Sequence, residues 1–428
     1  MARESLPLDS YAMRIVDREL DQLLVDSPAV LLDGPKAVGK TATASRRCRT
    51  IRRLDDPLVA EVVQANPRVV ADDLPPVLLD EWQRIPSVWD TVRRLVDERT
   101  SGGQFLLTGS APNVSSHSGA GRVITVRMRP MCLAERLATP TTVSLAELLT
   151  GERKMVHGSS DLQLNDYVDE IIASGFPGIR NLTDRTRAAT LDGYLDRIVD
   201  HDLPDAGFVV RRPSAVRAWL GAYAAGTSTT ASWERIRDAA TAGLGSKPAK
   251  TTTIMYTELL TQMRILDPLE AWLPGHDHFR RLATSPKHYI ADPALAVRLL
   301  RRTKTHLLSG DDRGEATPID GSFLGNLFET LAALTIRTAA QAAGAQVGHL
   351  RTRNGDHEVD FIVEGERGIV ALEVKLSGTV NANDVRHLRW LKERLGSDLI
   401  DSVVVTTGPT AYRRDDGIAV VPLALLGA

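Results

Sequence analysis

Cysteine is nearly absent: the 428 residues hold only Cys48 and Cys132. That excludes a disulfide scaffold and a Cys-rich zinc site. Long apolar runs are missing too. No window approaches the roughly 18 apolar residues that a membrane helix needs. The opening Met1-Ala2-Arg3-Glu4-Ser5 carries an acid and no apolar core, so it does not read as a secretory signal. A cytoplasmic protein with no membrane partner is expected. An excess of charge of one sign is also lacking, with Lys+Arg 52 against Asp+Glu 54 and a net charge of −2. Any nucleic-acid site must therefore be a local patch. Internal repeats and long low-complexity tracts are absent. What remains is an ordinary globular composition, 43% hydrophobic and 25% charged. The chain is too long for one core of usual size, so two or three domains are expected.

The most informative stretch is Gly34-Pro35-Lys36-Ala37-Val38-Gly39-Lys40-Thr41, which reads G-x-x-x-x-G-K-T. It follows the apolar run Val30–Leu32 and precedes a plausible helix, the strand–loop–helix context that a phosphate-binding loop requires. Glycines let backbone N–H groups curl around a phosphate, and the helix N-terminus adds partial positive charge. Lys40 is expected on the β- and γ-phosphates of ATP and Thr41 on Mg²⁺. A second apolar run, Val77–Leu79, ends in Asp80-Glu81. Asp80 is expected to hold Mg²⁺ and Glu81 to polarise the attacking water. A third run, Phe105–Leu107, ends in Thr108-Gly109-Ser110. Thr108 and Ser110 are both candidates for contacting the γ-phosphate. Arg122 precedes the short strand Val123–Val126; an order of elements that resembles AAA+ ATPases implies that an arginine there completes a neighbouring subunit's site, with Arg127 and Arg129 as rivals. That role requires a homo-oligomer. Arg46 to Arg53 holds five arginines in eight residues, either a nucleic-acid contact or a solvated segment.

From about residue 141 to 310 the pattern is mostly helical. Gly175-Phe176-Pro177-Gly178 reads as a tight turn. A turn with Gly243, Gly245 and Pro248, followed by apolar positions at near-helical spacing from Thr251 to Ile265, fits a helix-turn-helix or winged-helix unit, and any helical hairpin gives the same pattern. Residues 278–306 carry Arg280, Arg281, Lys287, Arg298, Arg301, Arg302 and Lys304 against the single acid Asp292. This is the strongest basic footprint for DNA in the chain, though a solvated helix face gives the same pattern.

The C-terminal part reads as helix, three strands, helix and strand. The helix holds Glu329; the strands are Gln346–Arg351, Glu358–Val363 and Gly368–Leu376. Alternation along strands puts Glu358 and Asp360 on one face, and Glu373 and Lys375 on one face of the next strand. Neighbouring carboxylates are costly without a cation, and oxygen ligands suit Mg²⁺ or Mn²⁺. Asp360 and Glu373 are the candidate metal ligands; Glu329 and Lys375 complete the candidate catalytic set, with Lys375 orienting a water or offsetting phosphate charge.

Both constellations resemble a family of prokaryotic AAA+ ATPases with a C-terminal PD-(D/E)xK nuclease-like domain of undefined biological role. The lines that carry this are Leu79-Asp80-Glu81-Trp82-Gln83, Leu106-Leu107-Thr108-Gly109-Ser110-Ala111, Gly121-Arg122, Gly175-Phe176-Pro177, Phe328-Glu329, Glu358-Val359-Asp360-Phe361 and Leu372-Glu373-Val374-Lys375. The resemblance implies an α/β chain in three parts. Residues 1–140 would be a P-loop AAA+ ATPase domain, 141–310 a helical, winged-helix-like middle, and 311–428 a restriction-endonuclease-like α/β domain. It implies ATP and Mg²⁺ at Lys40, Thr41, Asp80 and Glu81, and a nuclease-type site at Glu329, Asp360, Glu373 and Lys375. The expected activity is an Mg²⁺-dependent ATPase acting on DNA and coupled to metal-dependent cleavage. The alternative is a nucleotide-switched protein whose last domain is an inactive docking platform.

Overall fold

A computed structural model of the protein describes residues 11–109, 120–153, 155–241, 247–272, 285–308, 321–352 and 355–428. Ser110, Arg280 and Arg281 lie outside the described residues, as do Gly243 and Gly245 of the turn before Thr251. The chain divides into two units. The first is Met1–Pro130 with the short segments Phe176–Asn181 and Gln262–Ile265; the second is the remainder.

The first unit is built on five strands: β1 (Ala29–Asp33), β2 (Thr50–Arg53), β3 (Val77–Asp80), β4 (Phe105–Gly109) and β5 (Ile124–Arg127). Their order is β2-β3-β4-β1-β5, and every pairing is parallel. Parallel strands covered on both faces need apolar residues at nearly every position. The runs Val77–Leu79 and Phe105–Leu107 are buried throughout. Helices α1 (Ile15–Asp26), α2 (Lys40–Ser45), α3 (Pro57–Ala65) and α4 (Ser87–Glu98) join them. α3 starts where Asp56 accepts from Leu58 N–H and Pro57 takes the first turn, a position that lacks an N–H partner in any helix. α4 buries Val88, Val92, Leu95 and Val96, an i, i+4, i+7, i+8 stripe. Its Trp89 ring lies 4.8 Å from that of Trp82, inside a core that includes Val88, Val92 and Leu95. Strand order reverses around β1, and ligands of open parallel sheets bind beyond the carboxyl ends of strands at such a point.

The second unit combines helices with a mixed sheet. Strand β6 (Val143–Ser144) pairs in parallel with β13 (Leu426–Gly427). Helices α5 (Leu164–Ala173), α6 (Asp184–Arg197) and α7 (Pro213–Ala225) each pack against α8 (Pro293–Leu299). Buried Asp292 caps α8 by accepting from Ala294 N–H, and the same carboxylate accepts from Ser174 Oγ and Gly175 N–H. Helix α9 (Gly321–Ala342) leads into β7 (Gln346–Arg351), β8 (Glu358–Gly365) and β9 (Gly368–Val374), and α10 (Arg386–Leu395) into β10 (Leu399–Thr406). With β11 (Tyr412–Arg413) and β12 (Ala419–Pro422) the sheet order is β11-β12-β10-β9-β8-β7. β7, β8 and β9 run antiparallel; β9, β10 and β12 run parallel. Leu388 and Leu391 of α10 join a core with Val359, Ile362 and Val404. Among the described residues no helix is long and apolar enough to cross a membrane.

Candidate functional site

In the first unit the loop between β1 and α2 is shaped by backbone that only particular residues tolerate. A Cβ on Gly34 would lie 2.2 Å from the Met128 carbonyl oxygen, so that approach requires glycine. Gly39 has φ 102° and Ala37 φ 64°, which turns the backbone into a left-handed cradle. Lys40 and Thr41 open α2, where unpaired N–H groups face any bound anion. The Lys40 ammonium donates to the carbonyls of Gly34 and Pro35, both at 2.8 Å. Burial pulls its pKa down to about 8, against the opposing pull of Glu81, Asp33 and Asp80.

Thr41 Oγ1 donates to Asp80 Oδ1 at 2.8 Å, and Thr108 Oγ1 donates to the same oxygen. Two hydroxyls and a carboxylate oxygen thus meet where β3 and β4 end and α2 begins, beside the lysine. This donor set fits Mg²⁺, which takes oxygen ligands and keeps waters while nucleotide phosphates complete its shell. The glycine cradle fits the phosphates. Glu81 follows Asp80 at φ 55° and accepts from Gln83 Nε2. Lys36 and Pro35 line the same loop as Gly34 and Val38. The Arg122 guanidinium pairs with Asp97 at 2.7 Å, with both side chains partly exposed.

Two arginines here have no motif to announce them. Arg264, at φ 64°, bonds Asp33 at 2.6 Å, one residue before Gly34. Arg14, buried, donates to Val38 O at 3.1 Å and to Arg129 O at 2.8 Å, fastening the loop from behind. In the arginine-rich run, Arg47 pairs with Asp17 and Asp21, Arg52 with Asp73, and Arg46 lies over the Tyr11 ring.

In the second unit the pairing Phe361↔Leu372 sets Asp360 opposite Glu373. Asp360 Oδ2 accepts from Val374 N–H at 2.8 Å, and Lys375, just past β9, bonds Glu373 Oε2 at 2.8 Å. Glu329 reaches the cluster from α9. The group that joins them is Lys287. Its ammonium lies 2.6 Å from Glu329 Oε1, 2.8 Å from Asp360 Oδ1 and 3.8 Å from Glu358 Oε1, with the residue only 1% exposed. The Tyr289 hydroxyl donates to the same Glu329 oxygen. Burial alone would lower the Lys287 pKa, but the charges of Asp360 and Glu329 outweigh it and hold it well above the usual lysine value. Asp360 is opposed by burial, yet Lys287 and Lys375 hold its carboxyl below the ordinary value. Glu373 is pushed up to about 8, by burial first and then by Asp360. Its Oε1 is buried without a hydrogen-bond partner among the described residues.

Composition placed Lys287 in a basic stretch; the structure withdraws it into a carboxylate cluster. Lys287 directly precedes His288-Tyr289-Ile290-Ala291, and nothing in that local sequence announces the carboxylates it meets. Of the same stretch, Arg298 pairs with Asp192 at 2.5 Å and Lys304 with Asp169 at 2.7 Å. Arg301 is exposed and Arg302 half-buried.

Residues 26–137 match the family model of an AAA domain. Residues 164–306 and 324–426 match two domains of unknown function, DUF8612 and DUF4143. Uncharacterized proteins of Mycobacterium tuberculosis and Mycobacterium bovis are each 26% identical, over 98% of this chain and 86% of theirs. Among solved structures, a Walker-type ATPase of Pyrococcus abyssi aligns with 66% of this chain and 94% of its own, at 16% identity and TM-score 0.39. The ORC2 protein of Aeropyrum pernix aligns with 67% of this chain and 89% of its own, at 13% identity and TM-score 0.28. With the glycine cradle, Lys40 and the Thr41–Asp80 pair, the AAA-domain match supports an ATPase of the P-loop type over residues 26–137.

Proposed function

We propose that the protein is an Mg²⁺-dependent ATPase that works as a nucleotide-controlled switch, with a nuclease-like C-terminal domain as its docking platform for DNA. The observation that carries this reading is the meeting of Lys40, Thr41, Asp80 and Thr108 at the carboxyl ends of parallel strands. Lys40 offsets β- and γ-phosphate charge; Thr41 and Asp80 hold Mg²⁺; Thr108 stands where a γ-phosphate contact belongs; Glu81 orients the attacking water. The exposure of Arg122 suits a residue offered to a neighbouring subunit of a homo-oligomer. In this reading residues 1–140 bind nucleotide, 141–310 connect, and 311–428 form the platform.

The platform reading is supported by the order of α9, β7, β8, β9, α10 and β10 and by the gathering of Glu329, Asp360, Glu373 and Lys375. In this reading DNA is met by Arg301, Arg302 and Lys304 together with Arg280 and Arg281, which lie outside the described residues; Arg298 and Lys304 also pair with acids. The same gathering of acids and lysine favours a second reading, ATP-controlled cleavage of DNA at Asp360 and Glu373 with Mg²⁺ or Mn²⁺. The test is ATP turnover together with binding and nicking of labelled DNA by wild type, Lys40→Ala and Asp360→Ala. Turnover and nucleotide-dependent DNA retention, both lost in Lys40→Ala and with no nicking, support the switch. Nicking that Asp360→Ala abolishes establishes the second reading instead.

A further inference from the structure

We infer that Lys287 is a built-in cation standing where a nuclease of this design holds its divalent metal, so that the C-terminal site works metal-free. The inference rests on the nuclease-like reading of that domain and is independent of the ATPase reading.

A metal-dependent phosphodiesterase needs carboxylate oxygens that converge on an open position. Mg²⁺ requires about six oxygens at about 2.0–2.1 Å. Here the convergent oxygens are already engaged. Glu329 Oε1 and Asp360 Oδ1 both face the Lys287 ammonium, at 2.6 and 2.8 Å. Asp360 Oδ2 accepts from Val374 N–H, and Glu373 Oε2 holds Lys375. The Lys287 nitrogen already bridges these two oxygens, so an ion bridging them would have to compete with it. Glu373 Oε1 is buried without a partner among the described residues, and one oxygen does not make a divalent site. Among the described residues no group of three or more His, Cys, Asp or Glu side chains is disposed to hold a metal ion.

Charge leads to the same conclusion. Glu329, Asp360 and Glu373 face the ammoniums of Lys287 and Lys375. Three carboxylates against two ammoniums leave a single negative charge among these five groups, and Glu358, 3.8 Å from Lys287, is itself faced by Arg351 at 3.9 Å, so the two ammoniums already offset most of the charge that a divalent cation would.

The ammonium is also held at its root. Lys287 N–H donates to Leu269 O at 2.9 Å, and Leu269 N–H donates to Lys287 O at 2.8 Å. The adjacent Tyr289 ring stacks on Phe361 of β8, with centroids 6.0 Å apart. A segment outside the nuclease-like strands thus supplies the cation and anchors it on both sides.

The experiment is Mn²⁺ binding to the full chain without nucleotide, followed by electron paramagnetic resonance. The wild-type isotherm is expected to superimpose on those of Asp360→Asn and Glu373→Gln. A Mn²⁺ site present in wild type and absent from either variant overturns the proposal. Lys287→Met is expected to gain one Mn²⁺ site at least about tenfold tighter than any in wild type, a difference of about 1.4 kcal/mol. Adding Asp360→Asn should remove it. A folded Lys287→Met chain, checked by circular dichroism, that gains no site also overturns the proposal. If that variant does not fold, the wild-type comparison decides alone. ATP turnover on the same samples keeps the two readings apart: its failure counts against the ATPase and leaves the metal result standing.

Discussion

Lys287 Nζ lies 2.8 Å from Asp360 Oδ1, in a cluster where the lysine is 1% and the aspartate 8% exposed. Charges so placed depend on each other. Removing one partner of a buried pair leaves the other uncompensated and costs about 3–5 kcal/mol. Lys287→Met should lose stability of that order in urea unfolding. Lys375→Met, which removes a partly exposed ammonium, should lose about 1 kcal/mol or less. Equal losses would show that Lys287 is not the central charge of the cluster.

The pH dependence of stability carries the signature of Glu373. Its carboxyl is raised from 4.5 to about 8 in the folded chain. Between those values the folded state binds more protons than the unfolded, so stability falls as pH rises from about 4.5 to about 8 and is flat beyond. Glu373→Gln removes that contribution. The melting temperature of the variant relative to wild type should rise across this window by at least about 2 °C, the shift that about 1 kcal/mol gives a domain of this size. A difference constant with pH would contradict the burial argument.

Much of the framework was legible in the sequence. Val30–Leu32, Val77–Leu79 and Phe105–Leu107 stand out as apolar runs because parallel strands are buried on both faces. Alternation placed Asp360, Glu373 and Lys375 on one face because side chains on a strand repeat every second residue. Lys287 was not legible. It meets Glu329 and Asp360 through tertiary folding, 42 and 73 residues along the chain, and composition alone counted it as surface charge. Arg264 is hidden for the same reason: nothing at positions 262–265 signals a partner 231 residues away. The strand-and-loop logic is local, whereas the counter-ions come from elsewhere.

Lys40 should make nucleotide binding pH-sensitive. Its pKa in the free loop is lowered to about 8, while phosphate favours the charged form. Above about pH 8 binding must take up a proton, so affinity should weaken by up to about tenfold per pH unit. Titrations with a fluorescent nucleotide from pH 7 to 9 check this. Lys40→Arg, whose guanidinium does not titrate there, should bind more weakly but without the slope. A flat wild-type profile would contradict the burial of the ammonium.

Arg264 neutralises Asp33 one residue before the phosphate cradle, at 2.6 Å. Arg264→Ala should expose a negative charge to the incoming phosphates and weaken nucleotide binding about fivefold, an effect near 1 kcal/mol. Asp33→Asn in the same chain should restore it. If the double variant binds no better than Arg264→Ala, the arginine acts through something other than Asp33.

The most direct test of the account is steady-state ATP hydrolysis with Mg²⁺ by wild type, Lys40→Ala and Asp80→Asn, alongside nucleotide affinity. The account predicts turnover in wild type and a loss of at least about a hundredfold in both variants. Lys40→Ala should also lose affinity, and Asp80→Asn should require more Mg²⁺. Turnover unchanged by Lys40→Ala, or a wild-type chain that neither binds nor hydrolyses ATP, would contradict it.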